Sequence, residues 1–430
     1  ADATGLVRGD DWRAGISGAP PVITHVASSV ADHALVPILD ACLRQESVDD
    51  ESMARLFSAR GGDIDTLCEA ADELRQRQVG EQVTYVINRN INYTNVCQYS
   101  CQFCAFSKGG GEVASGRQAY DIDGEELRRR VLEAVELGAT EVCLQGGIHP
   151  DYTGQTYIDI VRTVKQVAPE IHVHAFSPLE IDQGATTLGM AVHDYLGLLK
   201  EVGLDSLPGT AAEVLDAGVR DILCPDKVSA ERWLEVMEAA HEQGLFSTAT
   251  IMFGHVDTPA SWVTHWQRVI ALQERTGGFT EVVPLPFVSE GAPIYRRGQS
   301  RPGPTWREAR LMHAIIRLTV GRVIPNLQAS WVKLGRQGAL QMLKAGANDL
   351  GGVLINESIT RAAGAAHGQS WAGHDIAQAI QNLGRVPQQR NTRYQTVCAA
   401  HPVDAELQRI QWITQTPAGR RATNKLISSA

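Results

Sequence analysis

The pattern of apolar positions changes character twice along the chain. Residues 1–30 are rich in Gly, Ala, Pro and Ser and carry no period, which predicts a flexible leader. From 31 to 80 apolar residues recur at three- and four-residue intervals. "SVADHALVPILDACLRQ" and "IDTLCEAADELRQRQ" therefore read as N-terminal helices, parted at Gly61-Gly62. Beyond residue 81, strand-like and helix-like segments alternate. "VTYVINRNINYT" (83–94) has near period-two alternation and many β-branched and aromatic residues, so a strand is expected there. "DGEELRRRVLEAVELG" is a helix with Asp123 as cap, Glu126 in the capping-box position and Gly138 as its stop.

Further strands are expected at 141–147, 171–177, 205–207, 246–254, 279–288, 324–335 and 349–358, with a helical pattern between each and the next. Parallel strands need crossovers of that length, and eight of them close most naturally as a (β/α)8 barrel of the TIM type. The strand count and even spacing disfavour an open doubly wound sheet. The barrel is assigned to 81–365, and 366–430 to a C-terminal helix and polar tail. Active groups of such barrels stand where strands end and βα loops begin. The loop after the first strand, "TNVCQYSCQFCAFSKGG" (94–110), is such a place.

Composition narrows what that loop does. A formal charge of −10 over 430 residues argues against a general nucleic-acid binder. No apolar run approaches the roughly 20 residues of a membrane span. The first residues lack a basic start followed by an apolar block, so no secretory signal is expected and a cytoplasmic, reducing location is. Of eight cysteines, Cys42, Cys68, Cys143, Cys224 and Cys398 sit among apolar neighbours and read as small core residues. Cys97, Cys101 and Cys104 cluster among polar residues, and clustered reduced thiols read as metal ligands.

Structural zinc takes four ligands, usually as two close pairs, and no second pair exists in the sequence. A four-iron cluster normally takes a thiolate on every iron; with three, one iron is left for an exogenous ligand. The Cys97-x3-Cys101-x2-Cys104 spacing, with Phe103 before the last cysteine, resembles the motif of the radical S-adenosylmethionine (SAM) superfamily. That resemblance implies a [4Fe-4S] cluster on these cysteines, with SAM chelated on the open iron and cleaved by one electron to methionine and a 5′-deoxyadenosyl radical. It implies that Gly146 and Gly147 of "LQGGIHPD", beside Gln145, receive the SAM amino group. "TIMFGH" resembles the segment that lines the adenine, here Ile251 and Met252. Ser177 and Glu180 of "FSPLEI" are placed near the SAM ribose or carboxylate, with a plain surface carboxylate as the alternative for Glu180.

Longer blocks narrow the family. "VTYVINRNINYTNVC", "CLQGGIHPD", "HVHAFSPLEI", "TEVVPLPFV", "QASWVKLG" and "GANDLGG" together resemble the FO synthase family, in its tyrosine-using half. The likeness implies cleavage of the L-tyrosine Cα–Cβ bond and transfer of the 4-hydroxybenzyl group to 5-amino-6-(D-ribitylamino)uracil, with release of 2-iminoacetate, on the way to the deazaflavin FO of coenzyme F420. A single cysteine triplet implies a stand-alone second subunit, with a separate radical SAM subunit 1 acting next and a reductant such as ferredoxin or flavodoxin. The menaquinone-pathway radical enzymes (aminofutalosine synthase and dehypoxanthine futalosine cyclase) share the skeleton and form the alternative. A non-catalytic metal-binding protein is the second alternative. Substrate-positioning candidates at strand ends are His149, His174, Asp257, Glu281, Gln328, Trp331, Lys333, Asn348 and Asp349.

Overall fold

The computed structural model describes residues 1–21, 32–108 and 119–397. Its strands are β1 (Gln82–Val86), β2 (Asn88–Asn92), β3 (Glu141–Gln145), β4 (His172–Ala175), β5 (Ser206–Leu207), β6 (Phe246–Phe253), β7 (Phe279–Pro286), β8 (Asp349–Gly352) and β9 (Val386–Gln389). β2 to β7 form one six-stranded sheet in sequence order, every pair parallel. Single bridges carry the pairing from Val282 to Leu327 and from Gln328 to Asp349. β8 then pairs in parallel with β1, and Ile355 bridges Arg89 of β2, which closes the ring.

The sequence predicts a full strand at 324–335, but only Leu327 and Gln328 pair, and Trp331–Leu334 turns into helix. Pro325 has no N–H to donate, and the Asn326 side chain reaches the Thr280 carbonyl (2.9 Å). The expected strand at 349–358 stops at Gly352, because Leu354 (φ +53°) and Asn356 (φ +66°) leave extended backbone. The first predicted strand is two, broken at Ile87.

Side chains of the sheet alternate between two environments. Ile91, Val142, Leu144, Val173 and Ala175 are fully buried under the helices. The opposite positions carry Asn88, Asn90, Glu141, Cys143, Gln145, His174, Thr248, Thr250 and Glu281, which line a cavity inside the barrel. Most barrels of this kind fill the interior with branched apolar layers. Here the interior is polar and open, and Cys143 belongs to that cavity rather than to the core.

Two terminal segments depart from expectation. Residues 1–21, expected to be a flexible leader, pack onto the barrel. Trp12 meets Trp306 edge-on at 4.9 Å, Asp2 pairs with Arg307 at 2.9 Å, and the Gly15 amide donates to Lys333 O at 2.7 Å. Gly- and Ala-rich composition hides those few anchors. Residues 22–30 of that leader lie outside the described residues. The C-terminal helix is present as Gly373–Asn382, but the segment after it is a strand, β9, paired with β1. Cys398 and the rest of the tail lie outside the described residues.

β9 delivers Arg390 to the N-terminal end of the barrel. Its guanidinium donates to Asp349 Oδ2 (2.5 Å) and Oδ1 (3.0 Å) and to Glu281 Oε2 (2.9 Å). Tyr394 also donates to Glu281, and Thr392 to Glu141. Burial pushes the Glu281 carboxyl up, to about 7, against the pull of Arg390 and Tyr394. Arg390→Ala would leave two buried carboxylates without their cation. A loss of about 3–5 kcal/mol in denaturant unfolding is expected; a loss below about 1 kcal/mol would contradict the reading of β9 and Arg390 as a plug on this end of the barrel.

His241 and His313 are held near 4, His265 near 3 and His174 near 4 by burial, against an ordinary value of 6.5. Their neutral forms stabilise the fold above pH 6.5, and this contribution is lost as pH falls toward 4. Each group costs up to roughly 1.4 kcal/mol per pH unit in that window. Glu281 acts oppositely, its contribution falling as pH rises through about 7. Urea midpoints should therefore drop between pH 6.5 and 4; a flat profile would contradict the assignment.

Candidate functional site

The cysteine loop leaves β2 and returns on itself. Val96 bridges Lys108, the Cys97 amide donates to Lys108 O (3.2 Å), and the Lys108 amide donates to Asn95 O (2.8 Å). Between these points the backbone is pinned on three sides. Gln98 N–H reaches Ile148 O (2.9 Å), Gln102 N–H reaches Leu223 O (2.8 Å), and Gln102 O accepts from Ile294 N–H (2.8 Å). Cys97, Cys101 and Cys104 are free and half-buried, and all three line one cavity of about 250 Å³ at the C-terminal mouth of the barrel. Burial pushes the Cys97 and Cys101 thiols up.

Gly146 and Gly147 follow β3 in the same cavity wall. A Cβ at Gly147 would enter the Val96 carbonyl, and one at Gly146 would enter the Tyr93 ring. The glycines thus allow the cysteine loop to lie directly on the β3 turn. Their amides are used internally, Gly146 N–H by Glu180 Oε1 (3.2 Å) and Gly147 N–H by Thr94 O (2.9 Å). The turn is left with carbonyl acceptors, which suit a ligand ammonium. Glu180 is buried at 1% exposure, not a surface carboxylate. It also accepts from Tyr93, from Ser177 N–H (2.6 Å) and from Ser177 Oγ (2.6 Å). Burial raises its carboxyl despite these donors. Phe103, Gln145 and Met252 line the cavity; Ile251 is buried in the apolar core and does not.

Two residues of this wall escaped the sequence reading. Lys227 forms an ion pair with Glu213 (2.8 Å) and stands 5.4 Å from the Phe103 ring centroid. Burial disfavours its charge, but Glu213 and the neighbouring thiols more than offset this and hold it ionised. Ala211 (φ +66°) and Glu213 (φ +47°) adopt left-handed backbone, a strain that concentrates at functional sites. Both follow β5, so the strand-end rule pointed there even though no motif did.

Among the described residues no three His, Cys, Asp or Glu side chains gather at the spacing of a single ion. A cluster places each thiolate on a different iron, so its ligands stand further apart. Three free thiols on one cavity wall, with no fourth among the described residues that line it, fit a cluster that keeps one iron open.

A second cavity lies below the first and shares Gln145, Thr210, Thr250, Leu285, Lys333 and Thr360 with it. His174, Glu281 and Gln328 line it. His174 Nδ1 meets Ser206 Oγ at 2.7 Å. Lys333 lines both cavities, and the remaining five positioning candidates line neither. Asn348 is held by Arg317 (2.7 Å) and Leu327 N–H (2.8 Å), and Asp349 by Arg390. Trp331 Nε1 donates to Gly352 O (2.9 Å), and Asp257 accepts from Arg301 (2.9 Å). His149 stacks on Tyr152 at 4.8 Å. These five are tied into the framework.

Comparison with known proteins agrees with this geometry. The radical SAM superfamily model matches residues 91–267, and the CofH/MqnC C-terminal region model matches 276–403. The 5-amino-6-(D-ribitylamino)uracil–L-tyrosine 4-hydroxyphenyl transferase of Methanopyrus kandleri is 49% identical, over 76% of this chain and 88% of its own. The chain belongs to that transferase family. The FO synthase of Streptomyces coelicolor is 48% identical over 84% of this chain, which spans only 40% of that relative's length. In fold, methylornithine synthase aligns with TM-score 0.64 at 18% identity, covering 81% of this chain and 97% of that one. The [FeFe]-hydrogenase maturase HydG aligns at 0.65 and 15% identity, covering 84% and 77%. The 4-hydroxyphenyl transferase family thus accounts for both the barrel and its C-terminal plug, since the second match runs through Arg390.

For this member of the family, Cys97→Ala, Cys101→Ala and Cys104→Ala should each abolish anaerobic loading of about four irons per chain while far-ultraviolet circular dichroism stays barrel-like. Stoichiometric zinc without iron, or unfolding of all three variants, would contradict a cluster held at the barrel mouth.

Proposed function

We propose that this chain breaks the Cα–Cβ bond of L-tyrosine and joins the 4-hydroxybenzyl fragment to C5 of 5-amino-6-(D-ribitylamino)uracil, releasing 2-iminoacetate. The observation that carries this reading is the pair of joined cavities, one walled by the three thiols and the other polar. Such a pair suits a fragment generated in one chamber that must meet a second molecule held in the other. The near-full-length likeness to the Methanopyrus transferase supports the choice of substrates.

Cys97, Cys101 and Cys104 would hold the [4Fe-4S] cluster, and the wall of Gln145, Gly146, Gly147, Ser177 and Met252 would hold SAM. When bound, these cofactors supply one-electron cleavage of SAM and a hydrogen-abstracting radical. The chain's own contribution is placement and exclusion of water. Leu179, Leu285, Phe287 and Val288 give the upper cavity an apolar lining that excludes water. Reacting atoms must be held at about 3–3.5 Å, and the rigid barrel strands supply that precision better than loops. Lys333, at the junction, offers a cation to a carboxylate or carbonyl of either substrate. A ferredoxin- or flavodoxin-type reductant and a second radical SAM activity of the FO synthase subunit 1 type, acting next, complete the proposal.

The test is anaerobic turnover of reconstituted protein with SAM, dithionite, tyrosine and the aminouracil, read by product mass. Tyrosine consumption with formation of the benzylated uracil adduct is expected. Deoxyadenosine appearing only with a futalosine-type nucleoside would overturn the assignment in favour of the menaquinone pathway.

A further inference from the structure

The lower cavity contains a carboxylate that the fold does not use up. Glu357 lies just beyond β8, is 5% exposed, and lines this cavity but not the thiol-walled one. Its Oε1 accepts from Thr360 N–H at 2.8 Å. Its Oε2 is buried and finds no hydrogen-bond partner among the described residues. Leaving a buried charged oxygen unpaired costs more than a neutral one, so such an atom points to a missing donor. Asn90, whose amide donates to Ile355 O (3.1 Å) on the adjoining segment, has its Oδ1 in the same condition, and so does Thr210 Oγ1 at the junction. The other acids lining this cavity differ: Glu141 is bonded to Asn88 (3.1 Å) and Thr392, and Glu281 to Arg390 and Tyr394.

We propose that Glu357 Oε2, together with Asn90 Oδ1 in the same cavity wall, is the anchor for 5-amino-6-(D-ribitylamino)uracil. This inference rests on the proposed function and assigns the second substrate to the lower chamber. The aminouracil fits because it is rich in donors: ring N–H groups, an exocyclic amine, an amino linkage and ribityl hydroxyls. Tyrosine fits worse, because its carboxylate would face unpaired acceptors. It would also lie away from the thiol-walled chamber where its bond must be broken. Lys333 completes the site as the donor to a uracil carbonyl.

Binding can be measured without turnover. Equilibrium dialysis or calorimetry on the anaerobic, cluster-loaded protein would use the aminouracil and tyrosine separately. Glu357→Gln keeps the shape but places N–H donors or a neutral acceptor where the free oxygen stood. The aminouracil Kd should rise at least tenfold, with the tyrosine Kd unchanged. Asn90→Leu is the second variant, should the first not fold, and should weaken the aminouracil in the same selective way. Unchanged aminouracil affinity in a folded variant, or loss confined to tyrosine, would overturn the assignment while leaving the transferase reading intact if wild-type turnover persists. Failure of the wild-type protein both to bind the aminouracil and to consume tyrosine would overturn both.

Discussion

The architecture turns on one close approach, the Val96 carbonyl against Gly147. With any side chain at position 147, the cysteine loop would be lifted from the turn after β3. Because the loop is pinned there, and at Leu223 and Ile294, three thiols from one short segment face the same chamber. Gly146 makes the equivalent room for Tyr93, whose hydroxyl reaches Glu180. A radical enzyme has to present its metal ligands rigidly while leaving one side of the metal site open. Backbone-to-backbone docking achieves this without consuming side chains that the chamber needs.

An open polar interior imposes a second requirement. A barrel normally gains stability by filling its centre, and here the centre is reserved for ligands. Stability is recovered by the apolar layer between sheet and helices and by sealing the N-terminal end with β9. Arg390 neutralises Asp349 and Glu281 there, and Thr392 satisfies Glu141. The acids at that end are therefore framework, and the acid available to a ligand is Glu357, at the other end of β8. The same strand region thus supplies one carboxylate to hold the fold and another to hold a substrate.

The strand–helix alternation and the cysteine spacing were legible because both are local patterns. So was the glycine pair, although its steric partner was not, since Tyr93 and Val96 are remote in sequence. The run Asn88-x-Asn90-x-Asn92 carried a further signal, since polar residues at every second position of a buried strand imply an interior that is not packed. Parity also separates Met252, in the chamber, from Ile251, in the core. Asn348 and Asp349 misled because proximity to the last strand does not say which end of the barrel they occupy. Arg390 and the ordering of residues 1–21 were illegible for a simpler reason. Their partners lie far away in sequence, 41 and 109 positions for Arg390 and 305 for Asp2 with Arg307, and their own surroundings look like tails. Lys227 and Glu213 likewise meet only through the fold.

The central claim is that the three-thiol loop holds a cluster with one iron open to SAM at the mouth of this barrel. Electron paramagnetic resonance of the dithionite-reduced, reconstituted protein, recorded with and without SAM, tests it most directly. A reduced-cluster signal whose g values shift on adding SAM is the expected result. A signal indifferent to SAM, in a protein with full iron loading, would contradict the account.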